Sequence, residues 1–343
     1  MNLTMELLKI VGSPFTPEVR RGTLHEKELR MLYLHAVKNR MRLLYLETLK
    51  EREELFDLKP RYSKHYSRYL KIFDAMARVS NFLDSLDVEH AIFKSIRPYP
   101  SATVDVDTLV FDSDKYHEAV KAMFKAGWKM LGYGPQSITF FDSDAKVGID
   151  MYREVAVSWV VYLDKRKLKR YTVRMTLPNK EVVSTLKPEA DLVATIAHSV
   201  IKEQVYAVAD YYTFLKHLKR MKMCEIEDFI DLIKTNNVVT AAKSYVSITA
   251  ALHREVCGWV PEKLVVLLNG LGFESLEVER LTQNLFQMPH KYHPLTLLRS
   301  LTNKLAEEKT RKSVATQFLN MMHPGFAKSV FEGFLDHVVR ETY

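Results

Sequence analysis

The stretch Val104, Asp105, Val106, Asp107, Thr108, Leu109, Val110, Phe111 places two acids one residue apart in a β-branched run. Side chains alternate along a strand, so Asp105 and Asp107 project from one face while Val104, Val106 and Val110 project from the other. Leu109 and Phe111 continue the acidic face, which therefore turns apolar within one strand length. Carboxylates this close repel unless a proton or a cation intervenes. Magnesium is the natural cation, because it takes one or two carboxylates together with phosphate oxygens. Asp150 is the candidate third acid: in the strand-like run Lys146 to Tyr152 it lies on the face opposite the apolar residues. A solvent-facing strand also produces an isolated Asp-x-Asp, so the surrounding elements must separate the two readings.

Those elements follow an order of helices, a mixed α/β centre, then helices. Residues 24–58 are dense in Leu, Glu, Lys and Arg and predict amphipathic helix ended by Pro60; a second helix is expected over 63–86. His90 to Ile96 reads as a short strand, Pro98 and Pro100 mark a loop, and Val104 to Phe111 reads as the acid-bearing strand. Asp114 is placed to cap a helix that runs to Ala126 and stops at Gly127. Ser137 to Phe141 and Lys146 to Tyr152 predict a hairpin joined through Asp142, Ser143 and Asp144. The apolar run Val155 to Leu163, a basic run and a strand-like stretch ending near Ser184 lead to Pro188. Beyond it helices are expected at Glu189–Leu218, Glu225–Thr235, near Ser244–Ala251, and on through Val339. The expected division is an N-terminal helical segment (1–62), a core (63–187) and a helical C-terminal domain (188–343).

With Phe93, Lys94 and Ser95 ending one strand, Asp105 and Asp107 following about ten residues later, and Ile149, Asp150 and Met151 on a further strand, the chain resembles the DNA polymerase beta-like nucleotidyltransferase superfamily. The likeness is to its branches with a long helical C-terminal region and extends over about Ser63 to Leu218. It implies an α+β fold: a nucleotidyltransferase-type mixed β-sheet with flanking helices, plus N-terminal helices and a large α-helical C-terminal domain. The implied chemistry is in-line attack of an acceptor hydroxyl on the α-phosphate of a nucleoside triphosphate, with two magnesium ions held by Asp105, Asp107 and Asp150. Ser95 and Arg97 are the implied phosphate ligands. Lys94 departs from the family, which has glycine there so that the backbone can approach the triphosphate; it is a nucleotide-binding candidate through its compensating positive charge, or else the mark of a scaffold that no longer transfers nucleotides. In the helix expected from Asp191 to Leu218, His198, Lys202 and Tyr206 recur every four residues. The resemblance makes Lys202 and Tyr206, and more weakly Asp210, nucleotide-binding candidates; an ordinary amphipathic helix with a satisfied His198 explains the same spacing.

Composition narrows the partners. In 343 residues, 47% are hydrophobic and 27% charged, which is the balance of a globular chain, and the net charge of +8 favours polyanions. RNA, tRNA-like molecules included, is therefore the favoured acceptor, and ATP or CTP the expected donor. The run Lys165, Arg166, Lys167, Lys169, Arg170 and the cluster Lys216, Lys219, Arg220, Lys222 could track a nucleic-acid backbone with Tyr171 available to stack; a solvated surface explains them equally well. His290 and His293 have an H-x-x-H spacing without a nearby third ligand. Cys224 and Cys257 fit neither a zinc ribbon nor a disulfide framework, which together with the absence of a leader or long apolar run predicts a cytoplasmic, membrane-free protein. Phosphate-loop, dinucleotide-turn and nucleophile-elbow motifs are absent. Two alternatives stand beside the enzyme: a catalytically silent scaffold that binds nucleic acid or protein, and an enzyme that transfers AMP to a protein.

Overall fold

Near residue 90 the apolar period changes from helical to alternating, and the chain passes from helices into a sheet. A computed structural model describes residues 2–16, 25–273, 285–322 and 328. The N-terminal part supplies α1 (Leu3–Val11), α2 (Glu26–Lys38), α3 (Arg42–Glu51) and α4 (Lys59–Ser85). The helix expected over 24–58 is thus interrupted, first at Asn39–Met41, where Arg40 takes a positive φ of 60°. Pro60 does not end a helix; it starts α4, in the first turn, where a missing N–H leaves no hydrogen bond unmade.

The central sheet is built from β1 (His90–Ile92), β2 (Asp105–Val110), β3 (Lys129–Tyr133), β4 (Ser137–Asp142), β5 (Val147–Tyr152), β8 (Thr172–Thr176) and β9 (Val182–Leu186). Their order is β3-β4-β5-β2-β1-β9-β8, with β5–β2 and β1–β9 parallel and the other neighbours antiparallel. Between β2 and β3 runs α5 (Ser113–Lys125), whose cap is Asp112, accepting from the amides of Asp114 and Lys115, and not Asp114 as expected. The run Val155 to Leu163 folds into a separate hairpin, β6 (Val155–Val157) and β7 (Val160–Leu163), and the basic run forms the short helix α6 (Lys165–Lys169). This mixed sheet with flanking helices and a helical C-terminal region is the α+β class expected.

Alternation along the central strands splits the core in two. Val106, Val110, Ile149 and Met151 pack against Ile72, Phe73, Met76 and Val79 of α4 and Tyr116 and Met123 of α5. On the opposite face, Leu109, Phe111 and Tyr152 join a larger core that contains Leu7, Leu32 and Tyr45 of the N-terminal helices and the C-terminal helices alike. Those C-terminal helices are α7 (Pro188–Ala197), α8 (Val208–Arg220), α9 (Met223–Thr235), α10 (Val239–Cys257), α11 (Glu262–Gly270), α12 (Pro294–Lys304) and α13 (Glu308–Met321).

The continuous helix expected over Glu189–Leu218 is broken. After α7 the chain widens into a π-turn (His198–Glu203), Gln204 adopts φ 55°, and β10 (Val205–Tyr206) pairs with β11 (His290–Lys291) before α8 begins. The helices expected beyond Met322 lie, Lys328 apart, outside the described residues. Among the described residues no helix is long and apolar enough to cross a membrane.

Candidate metal and nucleotide site

β2 and β5 run parallel and in register, so Asp107 stands directly beside Asp150, and Asp105 beside Gly148. All three acids face the larger core, and one oxygen from each lies within 4.8 Å of the others. The Asp-x-Asp pair and the third acid are therefore brought together. Gly148 helps: a Cβ there would come within 3.2 Å of the Thr139 methyl and 3.8 Å of the Asp105 Cβ. Thr139, the β4 neighbour of Asp150, donates its hydroxyl to Asp150 Oδ1 at 2.5 Å.

The cluster is electrostatically uneven. Burial, reinforced by Asp107 and Asp150, pushes Asp105 up to about 7. Burial also raises Asp150, although the Thr139 bond opposes it. Asp107 differs: burial alone would raise it, yet the charge of Lys94 first, and of Lys202, holds it below the ordinary carboxylate range. Lys94 is the direct partner, with Nζ 3.3 Å from Asp107 Oδ1.

Lys94 reaches that position from a left-handed backbone, φ 60°, the conformation that favours the glycine expected there. Its amide donates to Asp191 Oδ1 at 2.5 Å, and its buried ammonium donates to His198 Nδ1 at 3.1 Å. Burial first, then Lys94, lowers His198 to about 3, so the ring is neutral. An acceptor at Nδ1 assigns the proton to Nε2, which faces Glu203 Oε1 at 3.3 Å. Arg40 pairs with Glu203 at 3.3 Å. A chain of contacts thus runs Arg40, Glu203, His198, Lys94, Asp107. Neither Arg40 nor Glu203 was foreseeable: one comes from the turn between two N-terminal helices, the other from a π-turn that helical spacing does not announce.

The other sequence candidates separate. Ser95 accepts from the Asp107 amide at 2.8 Å and donates to the Phe93 carbonyl at 3.2 Å, so its hydroxyl pins the turn to the acid strand. Arg97 donates to Thr213 at 3.0 Å and lines the cleft. Lys202 donates to the Tyr152 hydroxyl at 3.2 Å, next to the acids. Tyr206 does not reach them; it is fully buried, hydrogen-bonded to Thr249 at 2.7 Å and packed on Tyr245. The left-handed Gln204 rotates it out of the His198–Lys202 stripe. Asp210 lines the cleft but uses a carboxylate oxygen on the Ala207 amide.

Three further sequence features take structural roles. In the basic run, Lys165 is buried on the carbonyls of Val110 and Arg153, Arg166 pairs with Asp164, Lys167 with Glu307 and Lys169 with Glu89. Tyr171 is buried and not available for stacking. His290 and His293 serve separate structural ends, one bonded to the Leu285 carbonyl and the other capping α12.

Asp105 and Asp107 open onto a cavity of about 800 Å³ whose wall includes Arg40, Arg42, Lys94, Ser95 and Arg97. Its size suits a small-molecule ligand, and its cationic wall suits an anionic one. No protein-family model and no curated protein matches the chain. Among solved structures, the STING-associated CdnE c-di-GMP synthase from Capnocytophaga granulosa aligns over 84% of this chain and 98% of its own, at 15% identity and a TM-score of 0.32. At that level the likeness assigns no role to any residue of this chain.

Proposed function

We propose that this chain is a magnesium-dependent nucleotidyltransferase that moves a nucleoside monophosphate from a nucleoside triphosphate to an acceptor hydroxyl and releases pyrophosphate. The observation that carries the reading is the convergence of Asp105, Asp107 and Asp150 within 4.8 Å, the first two on the wall of a cation-lined cavity. The donor set is all carboxylate oxygen, which fits a hard divalent cation and no softer metal. Asp105, Asp107 and Asp150 hold the metal, two ions in this reading, with substrate phosphates as further ligands. Magnesium bound there would lower the pKa of the acceptor hydroxyl and neutralise the leaving pyrophosphate.

The chain's own residues do the rest. The Lys94 amide is committed to Asp191, so the grip on the triphosphate falls to side chains: Arg42 and Arg97 on the cavity wall, the Lys94 ammonium beside Asp107, and Lys202 beside Tyr152. Ser95 keeps the turn seated so that these groups face the acids. RNA, tRNA-like molecules included, as acceptor follows from the net charge of +8, with ATP or CTP as the expected donor; AMP transfer to a protein is the competing acceptor class.

A second reading is favoured by one observation. Lys94 already sets a cation 3.3 Å from Asp107, as a scaffold that had given up its metal would. That scaffold would bind without catalysis.

Incubation of the protein with each α-labelled nucleoside triphosphate, magnesium and total RNA separates the readings. The enzyme labels RNA, and Asp105→Ala abolishes the label. Label on protein alone moves the acceptor to AMP transfer. No label under any triphosphate leaves the silent scaffold.

A further inference from the structure

Between Asp57 and Asp74 the chain carries Lys59, Arg61, Lys64, Arg68 and Lys71 and no acid. All lie on α4, and Arg61, Lys64, Arg68 and Lys71 recur at intervals of three, four and three, which puts them on one stripe. Arg42, at the start of α3, joins them from the next helix, and it also lines the acid-bearing cavity. Among the described residues none of Arg42, Arg61, Lys64, Arg68 and Lys71 has a carboxylate within 4.0 Å.

This clustering has a cost. Like charges three or four residues apart destabilise a helix. Arg42 is partly buried and held below its usual value, first by burial and then by Arg68. The Arg68 Nε is buried with no hydrogen-bond partner, and a buried donor left unmade calls for a ligand or an ordered water. His65, hydrogen-bonded to Tyr33 at 3.0 Å, is lowered to about 4 by burial and by Arg42, Lys64, Arg68 and Arg61. The basic segment Lys165 to Lys169 contrasts with this one, since its cations are matched by acids and carbonyls of the same chain.

On the opposite flank of α4, across the exposed Ser63 and Ser67, runs an aromatic stripe: Tyr62, Tyr66, Tyr69 and Phe73. Tyr62 and Tyr66 stack at 5.6 Å with 25° between planes, and Tyr66 is 37% exposed. Lys50 lies over both rings, 4.9 Å from the Tyr62 centroid and 5.9 Å from that of Tyr66. Cations without acids on one flank of a helix and a partly exposed aromatic ring, Tyr66, on the other are the recognition chemistry of an unpaired nucleotide strand crossing between them, in which phosphates meet the charges and bases stack on the rings. An acidic peptide would use the cations and leave the rings idle.

We propose that α4, with Arg42, is a binding track for single-stranded nucleic acid, with phosphodiesters on Arg42, Arg61, Lys64, Arg68 and Lys71 and bases on Tyr62 and Tyr66. The proposal rests on the nucleotidyltransferase reading only in its consequence: Arg42 belongs to both track and cavity, so a strand held here delivers its end to the acids. Binding itself needs neither metal nor triphosphate.

The test is fluorescence anisotropy of the full chain with labelled single-stranded RNA and DNA 20-mers of one sequence, in EDTA, across a salt series. Wild type binds. The triple variant Arg61→Gln, Lys64→Gln, Lys71→Gln, all at exposed positions, weakens binding about tenfold or more and lowers the slope of log K against log salt by about 2, from roughly 0.7 per lost phosphate contact. Tyr66→Ala weakens binding with the slope unchanged. RNA bound more tightly than DNA adds a 2′-hydroxyl contact to the track; equal affinity leaves phosphate and base stacking as its whole basis, and both agree with the proposal. A wild type that binds neither strand, a triple variant within twofold of wild type, or a poly-glutamate chain that binds as tightly as RNA overturns it. Because nothing here depends on labelling, loss of the track and loss of the catalytic reading are read separately.

Discussion

Lys94 carries its ammonium into a ring of opposing demands: Asp107 attracts it, burial and Lys202 oppose its charge, and His198 accepts one of its hydrogens. Removing that charge leaves Asp107 buried without its partner, which costs on the order of 3 kcal/mol for a broken buried pair. Lys94→Met is therefore expected to lower Tm in EDTA and to regain much of the loss in millimolar magnesium, with a larger magnesium-induced shift than wild type shows; differential scanning fluorimetry with and without the metal checks this. An equal loss in both conditions would mean that no divalent ion takes the place of the ammonium. Asp105 and Asp150 are expected to be separable from Asp107 in the same assay. Asn at position 105 or 150 relieves repulsion in the metal-free protein, so Asp105→Asn should raise Tm in EDTA while it abolishes the magnesium shift.

At the scale of elements, the site depends on two residues that are not glycine yet occupy left-handed backbone, Lys94 and Gln204. Each costs of order 1 kcal/mol relative to glycine in that conformation. Gln204→Gly should therefore leave the protein as stable or up to about 1 kcal/mol more stable, whereas Gln204→Val, β-branched at positive φ, should cost more than that. Urea denaturation measures both, and a destabilising Gly would show that the strain is offset by the Gln side chain. The same break keeps β10 on β11 and points His198 and Lys202 at the acids while Tyr206 enters the core.

Across the whole molecule, protonation adds another test. His217 is lowered to about 3, by burial first and then by Arg97 and Arg220. The folded protein keeps it neutral, while the unfolded chain takes its proton below about 6.5. Its contribution to stability is thus complete above pH 6.5 and lost progressively as pH falls toward 3. Asp105 and Asp191, raised to about 7 and about 6, change stability in the opposite sense over part of that range. The linkage must therefore be read by difference. Between pH 7 and 4.5, wild type should lose about 2.5 kcal/mol more than His217→Asn, at roughly 1.4 kcal/mol per pH unit below the unfolded pKa. Parallel stability curves for the two proteins would show that His217 charges freely in the folded state.

The local alphabet of residues determined the strands and their faces. Asp105, Asp107, Leu109 and Phe111 share a face because a strand repeats every two residues whatever surrounds it, and Val106 and Val110 meet the other core for the same reason. That is why the pairing of the two acids, the Ser137–Tyr152 hairpin and the α+β class were legible. The sequence could not determine what lies across from what. Asp150 beside Asp107 requires the parallel β2–β5 register, a long-range pairing that β4 makes available by turning the chain back. The break at Gln204 was illegible because Lys202, Glu203 and Gln204 are themselves good helix formers and no glycine or proline marks it; the chain is turned there by the tertiary pairing of β10 with β11, about 85 residues away in sequence. Charge was legible only as a sum. Tertiary structure determined that Lys165–Lys169 is neutralised from within while Arg61, Lys64, Arg68 and Lys71 of α4 stand without acids among the described residues, because salt partners are chosen by proximity in the fold and composition does not encode proximity.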